Sequence, residues 1–159
     1  LGFEAALGEP PSTTMELFRP LLYQDASRWR PDPVPEDFAD ELLDAPPSFT
    51  DVLGIGGLIP WLSQWYAVPE AKNLTGNWTG DRWGIWHFPE GEYILLLETR
   101  WTDEDSARNF RESIPYHPYQ RVLADEGESR RVRFLRGSSE SVFEHLPATY
   151  QDAPKKGAP

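Results

Sequence analysis

The chain has 159 residues, 26 of them Asp or Glu and 15 of them Lys or Arg, so its formal net charge is −11. An acidic protein repels phosphate backbones, which excludes nucleic acid as a general partner. The absence of cysteine excludes disulfides, thiolate metal sites and cysteine nucleophiles, and the absence of any run near the roughly 20 apolar residues that span a bilayer excludes a transmembrane helix.

The length suits one domain with a hydrophobic core, and the proline-rich residues 1–50 are expected to form an arm of short helices and extended segments. Thr13 and Glu16 form a capping-box pattern that predicts a short helix. Residues 28–35 should run extended, because prolines cannot donate to a sheet ladder. Pro35 is expected to begin a short acidic helix. That helix would bury its apolar side, Phe38, Leu42 and Leu43.

The next segment, residues 51–66, is apolar but contains three glycines and Pro60. Thr50 is expected to cap a helix here, and the helix should be broken or kinked and lie across a sheet, with glycines that permit close approach. Pro69 predicts a further short helical turn. Residues 73–80 are then expected to form a loop that leads into the sheet.

The central prediction is a hairpin. Residues 82–88 and 93–101 are rich in aromatic and β-branched residues and are predicted to be strands. Pro89 and Gly91 favour a three-residue loop in which Gly91 takes the left-handed conformation. Both faces of the second strand begin apolar, so we expect that strand to be central in its sheet.

A helix is predicted after the hairpin. Thr102 is expected to cap it, and the acidic residues 103–105 suit its positive N-terminus. Its buried stripe would be Ala107, Phe110 and Ile114. Pro115 should end it, because the residue before a proline avoids the helical region.

Residues 116–129 are predicted to be a connection, followed by strands at 130–136 and 141–146 that are joined by a turn. The resulting order, β-β-α-β-β after short helices and extended segments, predicts an α+β domain with a mostly antiparallel sheet over residues 51–150. The tail, residues 151–159, is small and polar and is expected to be mobile or bound to a neighbour.

The sequence contains no recognisable catalytic motif. None of its three histidines has a second histidine three or four residues away, and it has neither an HExxH nor a Gly-x-Ser-x-Gly pattern. We therefore predict no catalytic, cofactor-binding or metal-binding residue in this chain.

Two asparagines begin N-glycosylation sequences. Asn73-Leu-Thr and Asn77-Trp-Thr lie four residues apart. Such triplets are common by chance, but two of them beside a tryptophan-rich strand favour an extracytoplasmic location, at the cell surface or in the periplasm.

Three tryptophans of the hairpin are candidates for structural or interaction residues. Trp83 and Trp86 fall on opposite faces of one strand, so at least one of them could reach the surface or an interface. Trp101 ends the second strand. The alternative for each of these tryptophans is ordinary core packing.

Four arginines, at positions 130, 131, 133 and 136, form a cationic cluster in an acidic chain. They could bind an anionic partner. The favoured alternative is cross-strand pairing with Glu140 and Glu144 on the predicted returning strand.

Asp81 and Arg82 lie where the loop meets the first hairpin strand. One interpretation is a ligand clamp. The favoured one is a fixed junction, in which Asp81 accepts backbone amides and Arg82 pairs with a carboxylate such as Glu98. An acid and a base without a nucleophile form no recognisable reaction centre.

These residues also form part of a wider pattern, which comprises residues 10–23 (PPSTTMELFRPLLY), 52–58 (VLGIGGL), 80–83 (GDRW), 99–101 (TRW) and 105–110 (DSARNF). The pattern resembles the C-terminal region of a family of uncharacterised archaeal and bacterial surface proteins, whose upstream domain is similar to HExxH zincin metallopeptidases. The chain departs from that family in three ways. Arg19 replaces a histidine, Ile55 replaces a glutamate, and the HExxH helix is absent, so no zinc ligand is carried over.

Two functions follow from these observations. The leading hypothesis is a non-catalytic, extracytoplasmic structural or interaction module, a subunit or C-terminal companion region of a larger surface protein or complex. It would have protein partners, and peripheral contact with a membrane complex is compatible with it. The alternative is a fragment of a zinc metallopeptidase whose HExxH domain lies outside this chain.

Overall fold

The computed structural model describes residues 31–40, 42–43, 45–124 and 129–147. The helix predicted at Thr13, the matching residues 10–23 and the tail at 151–159 lie outside the described residues. Within them, a five-stranded antiparallel sheet is combined with three α-helices. This confirms the predicted α+β class with a mostly antiparallel sheet.

The sheet has the order β1-β2-β3-β5-β4, and every neighbouring pair is antiparallel. Its strands are β1 (Phe49–Asp51), β2 (Trp78–His87), β3 (Tyr93–Trp101), β4 (Gln120–Ala124) and β5 (Arg131–Gly137). The strand predicted to be central, β3, does lie in the middle of the sheet. Its apolar residues point to both faces because both faces are covered.

Three helices cover one face: α1 (Gly54–Leu62), α2 (Val68–Leu74) and α3 (Glu104–Ser113). Their buried side chains form one cluster with the sheet residues Leu97, Trp101, Val122 and Phe134. Pro60 lies inside α1, which continues through it and ends two residues later; a kink at this proline stays a prediction. No helix of the described residues is long and apolar enough to cross a membrane.

The other face of the sheet is covered by chain segments without α-helix. A 3-10 turn at Ser141–His145 packs there with five residues that the sequence assigns to the arm: Val34, Phe38, Ala39, Leu42 and Leu43. The helix predicted from Pro35 is wrong, because residues 36–40 form turns. Its predicted buried residues are nevertheless in the core: Phe38, Leu42 and Leu43.

The hairpin forms as predicted, except that β2 begins at Trp78, four residues before the predicted start and inside the predicted loop 73–80. Gly91 has φ +80°, in the left-handed region, and Glu90 shares that region with φ 63°. The predicted cap of α3 is corrected by one residue, because Asp103, and not Thr102, accepts the Ser106 amide through Oδ1 at 2.8 Å. The helix ends before Pro115, as expected.

Two predictions near the C-terminal end are wrong. Residues 120–124 are a strand and not a connection, because they pair with β5. Residues 141–145 are a 3-10 turn and not a strand. There the neighbouring side chains of Val142 and Phe143 are both buried, which a strand with alternating faces cannot achieve against one core. The chain still has the predicted β-β-α-β-β order, but its last two strands are β4 and β5.

Thr50 also differs from its prediction. It lies in β1, and its hydroxyl donates to the carbonyl oxygen of Trp83 at 2.9 Å instead of capping a helix. The helix begins four residues later, at Gly54, and a residue from β2 caps it.

Candidate functional site

The β2 residue that caps α1 is Asp81, whose side chain is buried in the first half of the strand. Its Oδ1 accepts the Leu53 amide at 2.6 Å and the Gly54 amide at 3.2 Å, and its Oδ2 accepts the Gly54 amide at 2.9 Å. The carboxyl group therefore connects the sheet to the beginning of α1.

The backbone around Leu53 explains this arrangement. Leu53 has helical angles, with φ −75°, and Gly54 has φ +65°. A residue in the right-handed region followed by one in the left-handed region directs successive N–H groups into one concavity that binds anions. Glycine at position 54 permits the positive φ, and the positive end of α1 adds to the attraction for a carboxylate.

Burial raises the pKa of Asp81 to about 6. The amides of Leu53 and Gly54, the Trp78 indole and the charge of Arg82 act in the opposite direction, but they do not offset the loss of hydration. A carboxyl group that titrates near neutral pH inside a cleft is the kind of group found at functional sites, and also in structural networks.

A cleft of about 280 Å³ lies beside Asp81, between β2, the start of α1 and residues 31–34. Its walls are mostly apolar. The hydroxyl of Thr79 is buried there without a hydrogen-bond partner among the described residues. The cleft therefore offers one acid, one hydroxyl and the neighbouring Arg82. These groups can hold a small ligand, but none of them is an activated nucleophile.

Arg82 does not form the predicted pair with Glu98. The two residues are directly opposite in the register of β2 and β3, yet the Arg82 Nε donates to the carbonyl oxygen of Val34 at 3.0 Å. Arg82 thus fastens the segment that covers the sheet, which agrees with a junction and not with a clamp.

Glu98 is instead the partner of arginines on its own strand and on β5. Arg133 donates to it from Nε at 2.9 Å, Arg100 lies at 3.4 Å and Arg131 at 3.9 Å. Pairing with Glu140 and Glu144 across a hairpin is wrong, because residues 141–145 are not a strand. Glu140 contacts Arg121.

The tryptophan candidates separate into two groups. Trp86 and Trp101 are buried, and their indole N–H groups donate to the Ala45 carbonyl oxygen at 2.8 Å and to the Thr99 hydroxyl at 3.0 Å. Both are core residues. Trp83 is half-buried on the opposite face from Trp86, as predicted, and its ring lies 5.3 Å from that of Phe49.

Exposed apolar residues lie in β1 and directly after it, and the β1 residue Asp51 pairs with Trp83. Phe49 is 53% exposed and Val52 is 50% exposed, and both lie at the β1 edge of the sheet. We call Phe49, Val52 and Trp83 the aromatic edge. The sequence did not indicate an edge strand here, because Thr50 is predicted to cap a helix over residues 51–66; the extended pair Pro46-Pro47 just before it was the available signal.

The two sequon asparagines are both exposed. Asn73 lies in α2 and not in the predicted loop. Asn77 lies in the turn before β2, where its Nδ2 donates to the Ser106 hydroxyl at 2.8 Å and to Asp103 at 3.3 Å. Asn77 therefore fixes the start of α3 to the start of β2.

In the part of the chain that the structure describes, no group of three or more His, Cys, Asp and Glu residues is placed to hold a metal ion. Comparison with protein-family models, curated proteins and solved structures finds no match. The resemblance to the surface-protein family therefore stays a prediction.

Proposed function

We propose that this protein is a non-catalytic structural or interaction module that acts outside the cytoplasm and binds a protein partner at its aromatic edge. The observation that carries the proposal is the aromatic edge itself, where the tilted rings of Phe49 and Trp83 lie 5.3 Å apart and where Phe49 and Val52 are each about half exposed. Aromatic side chains that remain accessible at a sheet edge are typical of interface hot spots.

The chemistry of the edge favours an extended, basic segment of another protein. β1 is an edge strand, and no other described strand pairs with its outer side. Its free backbone groups can therefore accept a further strand, while Phe49 supplies an apolar contact. The exposed Asp51 and the net charge of −11 attract a partner of positive charge.

The exposure of Asn73 and Asn77 supports the extracytoplasmic location, because a glycan needs an accessible acceptor. No observation on the described residues favours the metallopeptidase alternative, so that alternative rests on the resemblance alone.

A matched pair of substitutions tests the interaction surface. Val52 is 50% exposed at the aromatic edge, and Val68 is 49% exposed at the start of α2. Val52→Asp and Val68→Asp thus add the same charge to equally exposed sites. Tagged versions would be expressed in the cells of origin, and the native mass of the purified assembly would be measured together with the glycan content of the Asn73 peptide.

We expect wild type and Val68→Asp to purify in an assembly larger than the monomer from an extracytoplasmic fraction, and Val52→Asp to purify as a monomer. A cytosolic wild-type monomer would overturn the proposal. If both valine variants kept the assembly, a partner would exist but the aromatic edge would not be its binding site.

A further inference from the structure

The sequence contains three asparagines, at positions 73, 77 and 109. All three line a single groove of about 490 Å³ between α2 and α3, away from the aromatic edge. A volume of this size falls in the range of small-ligand sites, which is about 300–1,000 Å³. Asn73 on α2, Asn109 on α3 and Asn77 in the turn before β2 therefore line one concave surface.

Two hydrogen bonds join residues that line the groove across α3. Near the start of α3, Asn77 is held by the Ser106 hydroxyl at 2.8 Å. Near its end, the Tyr66 hydroxyl donates to the Ser113 carbonyl oxygen at 2.5 Å. Residues 106 and 113 are seven positions apart on α3, so the two bonds are separated by about 10 Å at the rise of an α-helix. The walls are fixed before any ligand arrives.

Between these bonds, several groups are available to a ligand. The side chains of Asn73, Asn109 and Glu70 make no hydrogen bond to the described residues. Each amide can donate and accept at once, which matches the donor and acceptor character of a hydroxyl group. Glu70 accepts only.

The charge of the groove excludes anions. Glu70 and Glu112 line it, and no Lys or Arg among the described residues does. Phosphate, sulfate or an acidic peptide would meet the carboxylate of Glu70, which makes no hydrogen bond to the described residues, and no cationic side chain of the lining. The amides and hydroxyls outnumber the carboxylates, so a neutral ligand with many hydroxyl groups fits the lining better than a cationic one.

We propose that the groove between α2 and α3 binds a neutral oligosaccharide. The half-buried ring of Tyr66 offers the apolar surface that the C–H face of a sugar needs, and Asn73 and Asn109 reach its hydroxyl groups from opposite helices. This binding is independent of the aromatic edge and of any protein partner. It uses the free amide of Asn73, so a glycan attached to Asn73 would block it.

The three asparagines make a selective experiment available. Protein produced in a bacterium that does not glycosylate, with ¹⁵N only in asparagine, gives NMR side-chain signals that all report on this groove. Cellotetraose, mannotetraose and chitotetraose would be titrated in turn, with spermine as a cationic probe. We expect saturable shifts of the Asn73 and Asn109 amide signals with at least one of the three sugars.

Variants then separate binding from folding. Asn109→Ala removes one exposed amide and should weaken sugar binding about tenfold, which corresponds to the loss of about one hydrogen bond, without a change in Tm. Arg108→Ala, on the neighbouring outward position of α3, should bind as wild type does. Glu70→Gln should bind the sugar to within about threefold, since an amide can replace the acceptor.

Three results would overturn the proposal. The first is the absence of asparagine shifts with all three sugars. The second is saturable shifts with spermine alone that disappear in Glu70→Gln, which would identify a cation site. The third is equal weakening by Asn109→Ala and Arg108→Ala, which would place the sugar elsewhere.

Discussion

Glu98 and Arg133 lie opposite one another on β3 and β5, and the Arg133 Nε donates to Glu98 Oε2 at 2.9 Å with both side chains almost completely buried. Arg133 also reaches the carbonyl oxygen of Phe38 at 3.3 Å, so the pair connects the sheet to the segment that covers it. A buried charge is expensive to leave without its partner.

Glu98→Gln should therefore lower the free energy of unfolding by about 3–5 kcal/mol, because it removes the carboxylate charge that pairs with the buried Arg133. The control is Arg108→Gln, which removes one partner of the exposed pair with Asp105 on α3 and should change stability by at most about 0.5 kcal/mol. Denaturant unfolding measures both. Equal losses would show that Glu98 has no special role.

Asp81→Ala should lower the free energy of unfolding by about 1–3 kcal/mol, because the buried amide of Gly54 and the amide of Leu53 lose their acceptor. Asp51→Ala is the matched control, since Asp51 is exposed and bonds only the amide of the next residue. A thermal melt of Asp81→Ala that coincides with wild type would remove Asp81 from the structural network.

The pH dependence of Asp81 has a defined sign. Its pKa is raised from 3.8 to about 6 in the folded state, so protonation favours folding, and this stabilisation is present below about pH 3.8 and lost as the pH rises through about 6. Asp81→Asn cannot titrate.

The free energy of unfolding of wild type, minus that of Asp81→Asn, should thus fall by about 3 kcal/mol between pH 3.8 and pH 7, since one pKa unit corresponds to about 1.4 kcal/mol. Urea unfolding at several pH values measures this difference. A difference that rises with pH would mean that the amides of Leu53 and Gly54 dominate over burial.

Gly91→Val should lower the free energy of unfolding by at least about 1–2 kcal/mol, because Gly91 has φ +80° and a β-branched residue is strained there. A Cβ at this position would meet no atom within 4 Å, so the loss is conformational and not steric. Gly91→Asn should lose less, since asparagine tolerates the left-handed region. Indistinguishable melts of valine and asparagine variants would contradict this cause.

Asn77→Ala and Asn73→Ala provide a comparison within one groove. Asn77 holds Ser106 and Asp103, so its loss should lower the free energy of unfolding by about 0.5–1.5 kcal/mol. Asn73 is an exposed helical residue, and alanine there should be neutral or slightly stabilising. Denaturation midpoints of the unglycosylated variants measure both changes. A larger loss of stability in Asn73→Ala than in Asn77→Ala would show that Asn77 is not the structural residue of the two.

Local patterns predicted the hairpin and α3 well because their determinants are close in sequence. β3 has the predicted bounds, and Gly91 adopts the expected conformation. Ala107 and Phe110 form the buried stripe of α3 as their spacing indicates. Each of these features depends on residues a few positions apart.

The errors at β4 and at Arg82 involve partners that are distant in the chain. The sequence predicts a connection where β4 lies, because the strand structure of β4 depends on its pairing with β5. Arg82 was assigned to Glu98 because the register makes them neighbours, but Val34, 48 residues earlier, takes its Nε instead. The groove lined by three asparagines is created by the packing of two helices, and no spacing along the chain reveals it.

The cap of α1 has a consequence for the order of folding. The amide of Gly54 is satisfied by a carboxyl group 27 residues further along the chain, and the nine residues of α1 include three glycines and Pro60. Such a short, weakly helical segment does not persist alone in water. It becomes a helix only when β2 is in place, so these two elements form in a single cooperative step. During synthesis, we expect α1 to stay non-helical until β2 has left the ribosome.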